Sequence, residues 1–176
     1  IIKANKITIM NINDESAIRE CTSCQMCAAV CPQNAIAIHL NKNGFYRPYV
    51  DDDKCTSCGL CTKACYKFDA NIQITASDVV DRIEVYSAQY LSDSLLEKVT
   101  SGGVADALAK ELIKQGYICI GVTYNDNNHR AEHIIATTEM ETDAFRGSKY
   151  IQSYSFDAFK NLVRNIRTTK FAVFGL

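Results

Sequence analysis

Eight of the nine cysteines fall into two runs with the same spacing, Cys-x2-Cys-x2-Cys-x3-Cys. This is the ligand spacing of two four-iron, four-sulfur (4Fe-4S) clusters, in which three thiolates of one run hold one cluster and the fourth ligates the other. The predicted ligands of one cluster are Cys21, Cys24, Cys27 and Cys65. Those of the second cluster are Cys55, Cys58, Cys61 and Cys31. The chemistry that these residues support is electron transfer.

The two runs form an internal repeat, since each cysteine of the first run recurs 34 residues later and Cys-Thr-Ser-Cys opens both. Such a repeat predicts two halves related by a local two-fold axis. Structural zinc is the weaker interpretation, because zinc does not need the third and fourth cysteines of each run. A disulfide framework is weaker still, because 176 residues, 47% of them hydrophobic, can bury a core without crosslinks.

Composition excludes several other classes of protein. The formal net charge of -1 offers no basic face, so we expect no nucleic-acid partner. No apolar run approaches the roughly 20 residues of a membrane-spanning helix, and we expect no membrane span. Reduced thiols at this density favour a cytoplasmic location. The start at Ile1 and the end within an apolar run that stops at Leu176 suggest a fragment of a longer protein.

The elements around the cysteines predict an α+β, ferredoxin-like dicluster module over residues 1–77. A weakly alternating segment, residues 6–12, is a candidate edge strand. Residues 35–40 and 45–50 flank a glycine turn and predict a hairpin, in which Pro48 restricts the second strand to an edge or to a short piece. Residues 70–75 predict a closing strand. Four aromatic residues flank the cysteines and either shield the clusters from water or belong to the core: Tyr46, Tyr49, Tyr66 and Phe68.

Residues 78–176 predict an α/β domain that is incomplete at its carboxyl end. Strands are predicted over residues 82–90, 117–123, 133–138 and 170–174. Helices are predicted over residues 92–99, 104–115 and 156–167. The apolar run 117–123 is typical of a strand covered on both faces, and its Cys119 is interpreted as a buried structural thiol. The three histidines, His39, His129 and His133, have no metal-ligand spacing and are interpreted as surface or hydrogen-bonded residues.

A first candidate binding motif, Thr100-Ser101-Gly102-Gly103, directly precedes the helix predicted from Val104. Ser101 can cap the helix, the glycines let a ligand approach the backbone, and free amides at a helix start favour an anion. The motif therefore suits a phosphate or a flavin. An ordinary helix cap explains the same residues, and this is the better interpretation of the tetrapeptide alone.

A second candidate is the segment Arg146-Gly147-Ser148-Lys149-Tyr150. It combines a hydroxyl, a cation and an aromatic side chain on a flexible loop. Such a loop could hold a diphosphate and stack its aromatic side chain on the ring of a ligand. A solvated turn with Tyr150 packed inward is the competing interpretation. No Walker loop, GxSxG, HExxH or GxGxxG motif occurs, which argues against a dinucleotide-binding Rossmann domain in this chain.

With the cysteine repeat, the Ser101-Gly102-Gly103-Val104 segment and the Gly147-Ser148-Lys149-Tyr150 segment in this order, the chain resembles the coenzyme F420 hydrogenase/dehydrogenase beta-subunit family. The dicluster module resembles the ferredoxin domain of many members, and residues 86–176 resemble the amino-terminal catalytic segment. Gly175-Leu176 resembles the opening of a Gly-x-Pro-Cys-Gln motif. Tyr66 departs from the pattern, because many dicluster ferredoxins have proline after the fourth cysteine.

The resemblance implies an iron-sulfur flavoprotein oxidoreductase. It would pass electrons between two 4Fe-4S clusters and FAD, and on to a deazaflavin (coenzyme F420) or another two-electron acceptor. The FAD contacts that the resemblance implies are Ser101, Gly102, Gly103, Ser148, Lys149 and Tyr150. The implied partners are a redox protein or subunit and a small-molecule electron donor or acceptor; no catalytic acid or base is identified. Two alternatives are a non-catalytic electron-relay subunit and a relative acting in surface-polysaccharide metabolism.

Overall fold

The computed structural model of the chain describes residues 11–13, 21–68 and 84–175. The chain divides into two compact units, Ile1–Ile74 and Thr75–Leu176. Two predictions lie outside the described residues: the domain boundary between residues 77 and 78, and the strand over residues 70–75. Most of the strand predicted over residues 6–12 lies outside them as well, and residues 11–13 form a bend and a turn.

The first unit is built from a hairpin and two short helices. In chain order its elements are α1 (Met26–Ala29), β1 (Ile36–Leu40), β2 (Tyr46–Val50) and α2 (Leu60–Lys63). Strands β1 and β2 pair antiparallel in a two-stranded sheet, with Ile36 opposite Val50. The side chain of Asn41 accepts hydrogen bonds from the backbone amides of Asn43 and Phe45, both at 3.0 Å, and closes the turn. The predicted hairpin is confirmed.

The backbone of the first unit repeats with the sequence. Helix α2 begins and ends 34 residues after α1, and each helix is preceded by a residue in the left-handed conformation, Gln25 with φ 62° and Gly59 with φ 73°. Ser23 and Ser57, also 34 residues apart, share this conformation, with φ 64° and φ 55°. A left-handed residue turns the chain sharply. Each run has one such residue between its first and second cysteines and another between its second and third, and these turns wrap the run into a compact loop.

The second unit is a mixed sheet with helices. Its elements are α3 (Asp93–Leu96), a 3-10 turn (Ser101–Gly103), α4 (Val104–Lys114), β3 (Tyr117–Asn125), β4 (Arg130–Ala136), a 3-10 helix (Glu141–Phe145), β5 (Ser153–Tyr154), α5 (Phe156–Asn165) and β6 (Lys170–Val173). The strand order is β5-β4-β3-β6. Strand β3 pairs antiparallel with β4 and parallel with β6, and β4 pairs parallel with β5. The predicted helices and the strands from residue 117 onward are present, with shifted ends.

Strand β3 lies at the centre of the core. Three consecutive residues, Cys119, Ile120 and Gly121, are buried, as expected of a strand covered on both faces. Helix α4 packs on it through Ala109, and the Cys119 thiol donates to the Ala109 carbonyl at 3.5 Å. The interpretation of Cys119 as a buried structural thiol is confirmed, since none of its side chain reaches solvent.

The strand predicted over residues 82–90 is wrong for its described part, because residues 84–90 form no strand. Val85 and Tyr86 are exposed, so the alternating sequence buries no apolar face. The Tyr90 amide instead donates to the Gly102 carbonyl at 2.9 Å, which ties the segment to the turn before α4. Among the helices of the described residues, none combines the length and the apolar character needed to cross a membrane.

Candidate functional site

The first unit contains a cavity whose wall includes Cys21, Cys24, Cys27 and Cys65. Three of these cysteines come from the first run, and Cys65 comes from the end of the second. The left-handed residues described above fold the first run round the cavity, and the Ser23 amide donates to Cys21 Sγ at 3.4 Å. Ser23 itself is held by its hydroxyl, which donates to the Tyr46 carbonyl at 2.6 Å.

The thiols of this cavity act on one another electrostatically. Burial raises the pKa of Cys27, and the neighbouring Cys24, Cys21 and Cys65 raise it further. Burial also raises the pKa of Cys24, and Cys65 and Cys21 add to this effect. Four negative thiolates would therefore repel one another in this cavity unless a positively charged group neutralised them, which is what iron does when it binds.

A second cavity is lined by Cys31, Cys55, Cys58 and Cys61, so the fourth cysteine of the first run lies with three of the second. The Ala35 amide donates to Cys31 Sγ at 3.3 Å, and the Asn11 side chain donates to Cys55 Sγ at 3.8 Å. Burial raises the pKa of Cys61, although hydrogen bonds from the backbone of Ile12 and Thr62 oppose the shift. Cys58 is exposed, so this cavity opens toward solvent.

The donor sets of both cavities fit a 4Fe-4S cluster, because each offers four thiols, and backbone amides donate to several of the sulfurs. Within the described residues, no three His, Cys, Asp or Glu side chains stand close enough to hold a single metal ion. Ligands of a cubane are spread around a larger body than one ion, so a wider spacing is compatible with cluster binding.

Aromatic side chains surround the first cavity more closely than the second. Tyr46, Tyr66 and Phe68 line the first cavity together with Met26 and Pro48. Tyr49 does not line it; its side chain is half exposed and makes an edge contact with His39 at 5.5 Å between ring centroids. Of the four aromatic residues singled out in the sequence, three therefore line the first cavity and one lies on the surface.

The second unit contains a cavity of about 300 Å³ between the start of α4, the loop after the 3-10 helix and the end of β6. Its lining includes Gly103, Ser148 and Lys149, which the sequence predicts as ligand contacts. Three other predicted contacts, Ser101, Gly102 and Tyr150, are not part of this lining, and the Tyr150 side chain is almost fully exposed. Small-molecule sites usually start at about this volume.

The glycines before α4 meet protein atoms. A Cβ on Gly102 would approach the Ala88 carbonyl at 2.7 Å, and one on Gly103 would approach the Tyr90 ring at 2.5 Å. These glycines therefore allow residues 88–90 to lie against the helix start. Ser101 does not cap α4, because the cap position is Gly103 and no side-chain cap hydrogen bond forms.

A carboxylate, Asp106, occupies the first turn of α4 and lines the cavity. Its oxygens accept hydrogen bonds from Tyr90 at 2.7 Å, Arg146 at 2.9 Å and Lys110 at 3.0 Å. Burial disfavours the charged form of Asp106, but these three donors outweigh it and lower the pKa of the carboxyl group. Because Asp106 already places a negative charge at this helix start, it weakens the attraction of the helix end for a phosphate.

Lys149 supplies a cation to the same cavity. Its Nζ donates to the backbone carbonyls of Phe145 at 3.1 Å and Arg146 at 2.7 Å, which leaves one of its three N–H groups for a further acceptor. Within the described residues it forms no ion pair with a carboxylate, unlike Arg146, which pairs with Asp106 and Asp143. Burial lowers the pKa of Lys149, which is the expected effect of a cation with no counter-ion.

Several residues of this cavity were not identified from the sequence. Phe145 and Phe174 form an apolar wall with ring centroids 6.3 Å apart, and a Cβ on Gly121 would overlap the Phe145 ring. The only local signal is a glycine in the middle of an apolar strand, which is typical of close approach by a neighbouring group.

His133 lies behind Ser153 and Gly175, two residues of the cavity wall. Its Nδ1 is 3.0 Å from Ser153 Oγ, and its Nε2 is 2.7 Å from the Gly175 carbonyl. Since a carbonyl can only accept, Nε2 carries the proton and the neutral ring accepts at Nδ1. Burial lowers the pKa of His133. Its interpretation as a hydrogen-bonded structural histidine agrees with these contacts.

Comparison with known protein families finds one match in each part of the chain. Residues 20–68 match the 4Fe-4S dicluster domain family. Residues 85–160 match the family described as coenzyme F420 hydrogenase/dehydrogenase, beta subunit N-term. Both matches agree with the resemblance found in the sequence. A comparison with the curated proteins finds no match.

Proposed function

We propose that the chain is an iron-sulfur flavoprotein oxidoreductase, because residues 20–68 match the 4Fe-4S dicluster domain family and residues 85–160 match the coenzyme F420 hydrogenase/dehydrogenase beta-subunit family. The two matches together support the coarser part of this function, an iron-sulfur electron-transfer oxidoreductase. The observation that carries the proposal is the division of eight cysteines between two cavities, each with three cysteines of one run and the last of the other.

In this proposal, Cys21, Cys24, Cys27 and Cys65 hold one cluster and Cys55, Cys58, Cys61 and Cys31 hold the other. Such clusters supply one-electron chemistry at a potential set by the surrounding protein. The chain's contribution is to bring four thiols together in each cavity, to donate backbone hydrogen bonds to the sulfurs, and to exclude water from the first cavity with Tyr46, Tyr66 and Phe68.

FAD is the second proposed cofactor, and the cavity of the second unit is its proposed site. A flavin supplies the exchange between one-electron and two-electron steps. The Lys149 ammonium group, with one N–H free of protein acceptors, suits a phosphate oxygen, and Ser148 lines the same cavity. Phe145 and Phe174 suit an apolar ring. The cavity holds only part of a molecule as large as FAD.

The placement of charge favours the Lys149 end of this cavity for the diphosphate over the start of α4. Asp106 presents a negative charge at that helix start, whereas Lys149 is a partly buried cation with no carboxylate partner among the described residues. Ser101, Gly102 and Tyr150 remain predicted contacts, and the cavity lining does not include them. The proposed final acceptor is a deazaflavin or another two-electron carrier.

The test of the proposal is cofactor content after anaerobic expression or reconstitution. We expect about eight iron atoms and one flavin per chain. Eight irons without flavin would favour the alternative of an electron-relay subunit and would overturn the flavin part alone. A chain that binds flavin but shows no reducible 4Fe-4S signal in electron paramagnetic resonance would overturn the cluster part.

The flavin site is tested separately by Lys149→Gln. We expect about a tenfold weaker Kd for FAD, equivalent to about 1.4 kcal/mol, measured by quenching of flavin fluorescence. Lys149→Arg keeps the charge and should retain most of the affinity. The matched control is Lys114→Gln, which removes an exposed cation from the other end of α4 and should leave Kd unchanged. Equal Kd values for the two Gln variants would contradict the assignment.

A further inference from the structure

Asn11 lies on the wall of the second cysteine cavity, and its side chain makes two contacts with separate partners. The amide nitrogen donates to Cys55 Sγ at 3.8 Å, and the amide oxygen accepts from the Asn13 backbone amide at 2.9 Å. The second contact determines the orientation of the carboxamide, because an oxygen that accepts from Asn13 leaves the nitrogen to face the sulfur. The chain thus places a neutral donor against one predicted cluster ligand.

This donor differs in kind from those at Cys21 and Cys31, which are backbone amides of Ser23 and Ala35. Almost any residue supplies a backbone amide, whereas the donor at Cys55 depends on the identity of residue 11. The 34-residue repeat places Phe45 at the position equivalent to Asn11, and a phenylalanine side chain has no donor. The internal symmetry is therefore broken at a position that contacts a sulfur.

Asn11 also belongs to a short segment that contributes residues to both cavities. The next residue, Ile12, is buried and lines the first cavity, while its backbone amide hydrogen-bonds to Cys61 of the second. One turn of chain thus provides an apolar side chain to one site and two N–H donors to the other. This arrangement makes the surroundings of the two sites unequal, in addition to the exposure of Cys58 and the aromatic wall of the first cavity.

We propose that the Asn11 carboxamide raises the reduction potential of the cluster held by Cys31, Cys55, Cys58 and Cys61. The reduced cluster carries one more negative charge than the oxidised cluster, and part of it resides on the sulfur ligands. A hydrogen bond to a sulfur stabilises the more negative state, so it favours reduction. Asn11 is a positioning and tuning residue, and it takes no part in ligation.

The test is Asn11→Leu in the full chain, with both clusters reconstituted and titrated under electron paramagnetic resonance. At a fixed potential we expect the reduced-to-oxidised ratio of one cluster to fall by several-fold and up to about tenfold, where tenfold is about 59 mV for a one-electron couple. The other cluster should titrate as in the wild type. Asn11→Asp keeps the acceptor for Asn13 but replaces the donor by a negative charge, so it should lower the same potential further than Asn11→Leu.

The matched control is Asn13→Ala, which removes a neighbouring exposed carboxamide and keeps the backbone amide that orients Asn11. It should shift neither potential. Cys58→Ser, a change at the exposed ligand, identifies the affected cluster by altering its signal. The inference is overturned if Asn11→Leu and Asn11→Asp leave both potentials unchanged, shift both equally, or shift the cluster whose signal Cys58→Ser leaves intact.

This inference rests on the proposed cluster ligands, and the experiment separates the two. Absence of any 4Fe-4S signal in the reconstituted wild type would defeat the proposed function. Two normal signals with unshifted potentials in the Asn11 variants would defeat the tuning role alone. If Asn11→Leu assembles less iron, the comparison is made between Asn11→Asp and Asn11→Gln. Gln retains a side-chain N–H donor, so the potential of this cluster in Asn11→Gln should lie between those of Asn11→Asp and the wild type.

Discussion

Arg146 Nε donates a hydrogen bond of 2.9 Å to Asp106 Oδ1, although the two residues are 40 positions apart in the sequence. Arg146 also pairs with Asp143 at 2.7 Å, and Lys110 contacts both carboxylates at 3.0 Å. The two cations and two anions link α4 to the 3-10 helix and the loop after it. Two of its members, Asp106 and Arg146, line the cavity in the second unit.

We expect Asp106→Asn to lower the free energy of unfolding by about 1–3 kcal/mol, because it removes a charged acceptor that three donors share. Urea denaturation followed by circular dichroism measures the change. The matched control is Glu139→Gln, whose exposed pair with Lys114 should contribute less than about 0.5 kcal/mol. Equal losses in both variants would mean that burial adds nothing to the Asp106 contacts.

His133 predicts a pH dependence of stability. Burial lowers its pKa below the ordinary value of 6.5, so between the two values the unfolded chain binds more protons than the folded chain. The free energy of unfolding should therefore fall as the pH is lowered from 7.5 to 5.5, by no more than about 1.4 kcal/mol per pH unit from this residue. Urea denaturation at several pH values measures this dependence.

The contribution of His133 is isolated by His133→Gln, which should flatten the pH dependence between pH 5.5 and 7.5. His129 lies in the exposed turn between β3 and β4, and His129→Asn serves as the control. Asn is chosen because residue 129 has φ 48°, a conformation that Asn tolerates. If the pH dependence of the free energy of unfolding survives in His133→Gln, or disappears in His129→Asn, it comes from a group other than His133.

Gly121 should not tolerate a side chain. A Cβ at this position overlaps the Phe145 ring, so Gly121→Ala should lower the free energy of unfolding by about 1–3 kcal/mol. Phe145→Leu reduces the bulk of the ring, and the double variant should lose less than the sum of the two single variants. Strict additivity, measured by denaturant titration, would show that the two residues do not interact.

The crossed assignment of ligands is tested with pairs of cysteine substitutions. If Cys65 and Cys24 ligate the same cluster, Cys24→Ala with Cys65→Ala should lose about the same four irons as Cys65→Ala alone. Cys58→Ala with Cys65→Ala removes one ligand from each cluster and should impair both. Iron analysis and electron paramagnetic resonance distinguish these results. The reverse pattern would assign Cys65 to the cluster of its own run.

The strengths of sequence-based prediction are clearest at the hairpin and helix α4. Residues 35–50 combine two apolar runs with an Asn and Gly turn, so local chemistry specifies the β1–β2 pairing. The helix predicted over residues 104–115 is found as Val104–Lys114, because Gly116 ends it. The strand predicted over residues 82–90 is wrong for its described part, residues 84–90, because an alternating sequence forms a strand only where a neighbouring strand pairs with it.

By itself, the sequence determined what chemistry the cysteines can support, because their spacing sets which thiols one loop can present together. It also determined the mixed α/β character of the second unit, through hydrophobic periodicity. Only the tertiary structure decided that Asn11 faces Cys55, that Asp106 and Arg146 meet, and that Gly102 and Gly103 pack against residues 88–90. Contacts between distant positions follow from how elements pack, and no local pattern encodes them.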